Sequence, residues 1–252
     1  MRLALILVVL TALSGAVVLY NRLFLRNSES LADGEERSEN LLIEYSRSFF
    51  PVLFFVLIIR SFIFEPFRIP SGSMMPTLLQ GDYIFVKKYV YGLRLPVMEK
   101  KVIEIGEPRR GDVVVFRLPS DPSINYIKRV VGLPGDKIIY REHRLTINGE
   151  SVELNRDPVT PAHENTPQFV ENLGDREHAI LIASPGNTMR DGIYVVPQGS
   201  YFMMGDNRDN SRDSRFIGVI KEEFLVGEAV RIWMHMDGIE WPTWQRIGKK
   251  IQ

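Results

Sequence analysis

From Leu3 to Tyr20 the chain runs for 18 residues without a charge, about 27 Å as a helix and close to the ~30 Å hydrocarbon core of a bilayer. This pattern predicts a membrane-spanning helix. A cleavable signal peptide competes with that reading, because Arg2 supplies a basic start and Ser14, Gly15 and Ala16 supply small residues. Asn21 to Ser48 is polar and of mixed charge, and Phe49 to Phe64 is apolar again except for Arg60 and Ser61. The uninterrupted part of that second run, Phe49 to Ile59, is 11 residues, a length that also suits a buried or interfacial helix. Arg60 lies near its end, where the side-chain stem can reach toward headgroups, so a second span is the preferred reading and it argues against a signal peptide. The connecting stretch carries Arg22, Arg26, Arg37 and Arg47. The bias of cations toward the cytoplasmic side then puts 21–48 in the cytoplasm and everything after residue 65 outside it.

From Pro66 the pattern shortens to β-type runs separated by Gly, Pro and Asx: Tyr83–Val86, Val113–Leu118, Tyr126–Val131, Lys137–Tyr140, Leu145–Ile147, Ala179–Ala183, Ile193–Val196, Tyr201–Met204 and Val226–Trp233. Asn148-Gly149, set between Leu145–Ile147 and Val152–Leu154, predicts a hairpin turn, since Asn and Gly both accept positive φ. The expected fold is mainly β: an antiparallel-sheet domain over 66–252 behind two transmembrane segments, 1–20 and 49–65. Residues 141–191 are more polar and read as a β-rich insertion or accessory lobe.

Composition narrows the chemistry. Lys+Arg 31 against Asp+Glu 31 gives a formal net charge of +0, which removes the basic footprint of a nucleic-acid binder. Cys 0 excludes disulfide scaffolds, thiolate metal sites and cysteine nucleophiles. His143, His163 and His178 fall in the polar stretch without a metal-ligand spacing, so no metal is expected. The chain also lacks G-x-S-x-G, H-E-x-x-H, Walker and S-x-x-K patterns.

Three clusters remain. Ser71-Gly72-Ser73 follows the second apolar run and is bracketed by Pro70 and Pro76; a serine there needs a base, which a neutral lysine can supply. In Tyr126-Ile127-Lys128-Arg129-Val130-Val131 the period of two sets Lys128 with Tyr126 and Val130 on one face and Arg129 on the other. One of the two cations is expected to point inward; a solvent-exposed strand edge is the alternative for both. A lysine base needs its pKa lowered by roughly 2 to 3 units, which an apolar sheet face can bring about. Gly205 to Arg215, GDNRDNSRDSR, is too dense in Asx, Ser and Arg for a strand and predicts an internally bonded loop.

Taken together, SGSMMPTL (71–78), YIKRVVGLPGD (126–136) and GDNRDNSRDSR (205–215), with GDYIFVKK (81–88) and RGDVVVF (110–116), closely resemble bacterial signal peptidase I, the membrane-bound leader peptidase of the Gram-negative type. That resemblance implies Ser73 as nucleophile, Lys128 as general base, and Ser71 with the Ser73 backbone N–H as oxyanion donors. It further implies that Ser211 orients the Lys128 amine and that Asp213 and Arg215 brace their loop. Phe67, Ile69, Met74, Leu78, Tyr126 and Ile127 match positions that bind substrate, preproteins ending in Ala-x-Ala. The implied setting is the bacterial inner membrane with the catalytic domain facing the periplasm. Implied partners are secretory preproteins, the bilayer and protein-export machinery, with neither cofactor nor nucleic acid. Ser73 follows Phe64 by nine residues, so even extended chain keeps it within about 30 Å of the membrane exit. Trp233, Trp241 and Trp244 are candidates for an interfacial apolar edge, with Trp233 equally a core residue. Two other classes share parts of this pattern: a self-cleaving repressor-type Ser/Lys protease, disfavoured by the membrane segments, and a non-catalytic anchored β domain.

Overall fold

The computed structural model describes residues 2–25, 41–98, 100–157, 166–183, 191–236, 238 and 244–251. Arg26, Arg37, His163 and Trp241 lie outside the described residues. The chain divides into two compact units, Met1–Phe64 with Leu93–Ile103, and Glu65–Gly92 with Glu104–Gln252.

The first unit contains helix α1, Arg2–Tyr20, continued by a wider turn at Asn21–Leu25, and helix α2, Leu41–Ile58, continued at Ile59–Ile63. Both are long and apolar enough to cross a membrane, over Leu3–Phe24 and Leu41–Ile63, and almost none of either is buried within the protein. Large apolar side chains such as Leu13 and Phe55 are more than half exposed, which is the habit of a lipid-facing helix rather than of a core helix. The helices approach closely: a Cβ on Gly15 would lie 2.8 Å from the Phe50 ring. The second helix starts at Leu41, before the Phe49 expected from hydropathy, so Arg47 belongs to the helix and not to the connection. Leu41 and Leu42 extend the apolar run, and Tyr45 stacks on Phe49 one turn later, with ring centroids 6.1 Å apart. A small hairpin, Leu93–Arg94 with Lys101–Ile103, completes this unit.

The second unit is built on a seven-stranded sheet: β1 Phe64–Arg68, β2 Asp82–Lys87, β3 Val113–Leu118, β4 Asp121–Gly132, β5 Ser200–Met204, β6 Ile220–Lys221 and β7 Leu225–His235. Its spatial order is β1-β2-β7-β3-β4-β5-β6. The pairs β2–β7, β7–β3, β3–β4, β4–β5 and β5–β6 are antiparallel. Apolar clusters cover both faces of its centre. Ile84, Val86, Val113, Val115, Ile127 and Ile232 share one cluster, while Val114, Phe116, Val130 and Met203 share another. Double coverage is why Val113–Phe116 of β3 and Tyr201–Met204 of β5 read as apolar runs rather than as alternation.

Residues 137–195 add two small sheets to this unit. One joins Lys137–Arg141, Arg144–Ile147, Glu150–Ser151 and Gly192–Val195; the other joins Glu153–Arg156, Gln168–Leu173 and Arg176–Leu181. Asn148 at φ 53° and Gly149 at φ 91° make the expected turn. The strand after it pairs through Glu150 and Ser151, with Val152 N–H still donating to Leu145 O at 2.8 Å, and the chain then leaves for the other sheet at Glu153. Several elements differ from the sequence pattern: the strand expected at Tyr126–Val131 already begins at Asp121, and Phe64 and Glu65 belong to β1 and not to the second apolar helix. The run expected at Ala179–Ala183 is the end of Arg176–Leu181. Gln168–Leu173 was hidden because Glu171 interrupts its apolar pattern, yet Glu171 is buried and bonded to the Arg208 guanidinium.

Candidate active site

The segment from Ile69 to Leu78 has little regular structure of its own, and three apolar anchors hold it. Ile69, Met74 and Leu78 are buried in the cluster shared with Ile84, Val113 and Ile127, and Phe67 packs against the same cluster. Backbone bonds close the arrangement: Ile69 N–H donates to Asp82 O at 2.8 Å, Gly81 N–H to Ile69 O at 2.9 Å, and Leu78 N–H to Met74 O at 2.9 Å. Between the anchors the chain must turn with small residues, so Ser71 is exposed and Ser73 sits buried at its base.

Lys128 reaches this turn from β4, where its Cα partner is Val114 of β3. Its Nζ lies 2.6 Å from Ser73 Oγ, donates to Ile127 O at 2.8 Å, and sits 5.5 Å from the centre of the Tyr126 ring. Only 3% of the residue is exposed. Burial strips water from the ammonium and pushes its pKa down from 10.5 to about 8. Asp213 and Asp206 act against that change at longer range, and Arg215 reinforces it. Both cations of the pair Lys128-Arg129 are buried, which corrects the expectation that only one points inward. β4 lies between β3 and β5 with both faces covered, so each cation has to be accommodated internally.

Arg129 is accommodated by Asp206. Its Nε donates to Asp206 Oδ1 at 2.8 Å and its Nη2 to Oδ2 at 2.7 Å, while Nη1 donates to Gly111 O at 2.8 Å. Burial alone would raise the Asp206 carboxyl, but Arg129 outweighs it and holds the pKa below the usual value. Thr77 donates to the same carboxylate at 2.5 Å, which ties the 69–78 segment to the 205–215 loop. Asn207 completes that tie: its N–H donates to Ser73 O at 3.2 Å and its Nδ2 to Gly72 O at 3.1 Å. Gly205 must be glycine for this contact, since a Cβ would lie 2.2 Å from Ser211 Oγ and 2.5 Å from Ser73 O.

The loop is fixed from within by Asp213, which is fully buried. It accepts from Gly205 N–H at 2.9 Å and from Arg215 Nε and Nη2, both at 2.8 Å; Arg215 Nη2 also donates to Arg208 O at 2.7 Å. Desolvation works to raise the Asp213 pKa, and the Arg215 guanidinium lowers it overall. These bonds tie Asp213 and Arg215 into the loop. Ser211 Oγ is buried against Gly205 and bonds to the Asp213 carboxyl, while the Lys128 amine bonds to Ser73 and Ile127.

Among the other expected residues, Phe67, Ile69, Met74, Leu78 and Ile127 fall together in one cluster beside the Ser73 turn, while Tyr126 belongs to the opposite cluster. Met74 and Leu78 have no exposed surface. His143 is buried against Asp209, with Nε2 2.7 Å from Oδ1, and His178 is buried near Glu171 at 3.4 Å; both occupy structural positions in the second unit. Trp233 packs on Phe85 and Tyr83, and Trp244 is strongly exposed. Sequence reasoning assigned no role to Thr77, Gly205, Asp206 or Asn207. The one available signal was that Asx residues flank a glycine inside an otherwise anomalous polar run.

A family model described as signal peptidase, peptidase S26, matches residues 42–234. Signal peptidase I of Pseudomonas fluorescens is 54% identical over 219 residues, covering 81% of this chain and 75% of its own. That of Pseudomonas aeruginosa is 51% identical over 221 residues, with 81% and 75% covered. A crystal structure of a signal peptidase I from Enterococcus faecalis V583 is 27% identical and covers 50% of this chain and 98% of its own; its TM-score of 0.32 gives no support on the fold. By the extent of the family match and the identity to these relatives, the chain belongs to the signal peptidase family, peptidase S26.

Proposed function

We propose that this signal peptidase, a serine endopeptidase that removes signal peptides, works through Ser73 as nucleophile and Lys128 as its base. The observation that carries the assignment is the 2.6 Å contact between Ser73 Oγ and a buried Lys128 amine bonded to no carboxylate among the described residues. A neutral amine has two N–H bonds and one lone pair. One N–H goes to Ile127 O, and the lone pair accepts the Ser73 proton as Oγ attacks the scissile carbonyl. The ammonium so formed returns that proton to the departing amine, which leaves an acyl-Ser73. Neutral Lys128 then takes a proton from a water whose oxygen attacks the acyl carbon, and returns it to Ser73 Oγ as the ester C–O bond breaks and the acid leaves. The Ser73 N–H and the exposed Ser71 hydroxyl supply the oxyanion donors.

The expected Ala-x-Ala preference follows from the floor of the site. Met74, Leu78 and Ile69 are already packed to closure, with Phe67 and Ile127 beside them, so a substrate side chain gains a shallow apolar contact and no deep cavity. Two candidate spans precede the sheet, and we place the enzyme in the bacterial inner membrane with residues after 65 on the periplasmic side, by the arginines between the spans. Anchoring in the bilayer that holds the substrate raises the effective concentration of the cleavage site. Secretory preproteins, lipid and export machinery are the partners this reading implies.

The test uses the full-length chain in detergent with a preprotein, the products read by mass spectrometry. Ser73→Ala and Lys128→Ala are expected to leave the preprotein intact while retaining the wild-type circular dichroism spectrum. Wild-type turnover by a folded Lys128→Ala protein would overturn the assignment of the base.

A further inference from the structure

Glu171 belongs to neither the 69–78 segment nor the 205–215 loop, yet it is buried and meets a charge from that loop. It lies on Gln168–Leu173 in the small three-stranded sheet, directly opposite His178 of Arg176–Leu181. Glu171 Oε1 accepts from Arg208 Nη1 at 2.7 Å and Oε2 accepts from Nη2, a two-pronged ion pair in which neither residue is more than 2% exposed. Burial works to raise the Glu171 pKa, and the Arg208 guanidinium outweighs it and holds the carboxyl well below its usual range. His178 Nε2 lies 3.4 Å from Glu171 Oε2 and 3.8 Å from Asp206 Oδ1, so the imidazole stands between the carboxylate that holds Arg208 and the one that holds Arg129.

The backbone makes the same connection. Leu181 N–H donates to Asp206 O at 2.9 Å and Arg208 N–H to Leu181 O at 2.9 Å, so residues 206–208 run parallel to the end of Arg176–Leu181. Asn207 is thereby fixed from both sides: Asp206 is held by Arg129 and Thr77, and Arg208 by Glu171 and, at its carbonyl, by Arg215. From that position Asn207 N–H reaches Ser73 O at 3.2 Å and its Nδ2 reaches Gly72 O at 3.1 Å. A buried ion pair gives little net stability over an apolar pair of the same volume. What it supplies is direction, since a planar guanidinium meets a carboxylate in one geometry.

From this arrangement we infer that Glu171 is a positioning residue for the nucleophile: its carboxylate fixes Arg208, Arg208 fixes the backbone at Asn207, and Asn207 sets the Ser73 carbonyl and with it the place of Oγ against Lys128. The small sheet thereby takes part in the geometry of cleavage. The inference rests on the reading of Ser73 as nucleophile, and the experiment separates the two.

Full-length Glu171→Gln, Asn207→Ala and the double variant are compared with the wild type in detergent on a preprotein, with kcat and KM measured separately and rates expressed per folded molecule. Each single variant should lower kcat about 10- to 10²-fold with KM within about twofold. The double variant should be no worse than the more damaged single one, because both act through one contact. Glu177→Gln, exposed on the same strand as His178, is the control and should keep both constants at their wild-type values. Glu171→Gln leaves a buried guanidinium unpaired, so Glu171→Met with Arg208→Met provides a second test that removes the whole pair without leaving a charge. That pair of substitutions should lower kcat about threefold or more with the wild-type circular dichroism spectrum, and its combination with Asn207→Ala carries the same comparison where Glu171→Gln does not fold. Losses that multiply in the double variant, a change confined to KM, or an undiminished kcat in the methionine pair overturns the inference and leaves Ser73 as nucleophile. Wild-type turnover by a folded Ser73→Ala protein overturns the nucleophile reading itself.

Discussion

Lys128 and Arg129 are consecutive on β4, equally deprived of water, and opposite in consequence. Arg129 is met by a bidentate carboxylate and a carbonyl, so its charge is answered where it sits. Lys128 is met by a hydroxyl and a carbonyl, and its pKa falls to about 8. Burial alone therefore does not lower a cation's pKa; burial without an adjacent anion does. The same strand places an ion pair on one face and an amine without a bonded carboxylate on the other, as the two-residue period requires.

The comparison can be broken most directly by giving position 128 the chemistry of position 129. Lys128→Arg keeps a cation that cannot be deprotonated in the working pH range, and cleavage should fall by about 10⁴-fold or more, measured as kcat/KM on a preprotein with folding checked on the same sample. The converse is to remove the anion that Arg129 needs. Asp206→Asn leaves a buried guanidinium without its partner and should cost about 3–5 kcal/mol in urea unfolding. Activity per folded molecule should fall as well, because the Asp206 carboxylate also accepts from Thr77 of the Ser73 segment and its charge acts on the Lys128 amine.

Relieving the uncompensated amine should stabilise the protein. In the unfolded chain Lys128 returns to 10.5, so between about pH 8 and 10.5 the unfolded state binds more protons and stability rises with pH. Below pH 8 the whole cost, about 3 kcal/mol for a shift of this size, is present. Lys128→Met should accordingly be more stable than wild type by roughly that amount at pH 7, with the difference shrinking toward pH 10.5 in paired denaturation curves. A difference independent of pH would mean that the gain came from packing and not from charge. Finer geometry gives the smallest expected effect. Gly205→Ala must displace either Ser211 or the Ser73 carbonyl, and a shift near 1 Å in the nucleophile should cost about 10²-fold in kcat with the secondary structure unchanged.

Much of this was legible in the chain because it was written locally. The apolar runs of β3 and β5, the Asn148-Gly149 turn and the unusual Ser71, Lys128 and 205–215 clusters each announce themselves within a dozen residues. Three features were not legible, each for a physical reason. Glu171 hid a strand because its charge is cancelled by Arg208, which is 37 residues away. Arg129 gave no sign of burial because its partner, Asp206, lies 77 residues on. The bond of Ser211 to Asp213 within the 205–215 loop was not legible either, because nothing in the local pattern says which of the loop's polar groups meet. Periodicity sees one strand at a time, whereas compensation of charge is a property of two segments that meet only on folding.

The central claim is that a desolvated Lys128 takes the Ser73 proton, and the pH dependence of kcat/KM for a preprotein tests it most directly. Measured from about pH 5 to 10, the rate should rise with a single midpoint near pH 8, because only the unprotonated amine accepts the proton and desolvation has lowered its pKa to about 8. The profile should be unchanged by a chelator. A midpoint near 6.5, or no rise until about pH 10, would contradict the account: the first would point to an imidazole base and the second to a lysine still in contact with water.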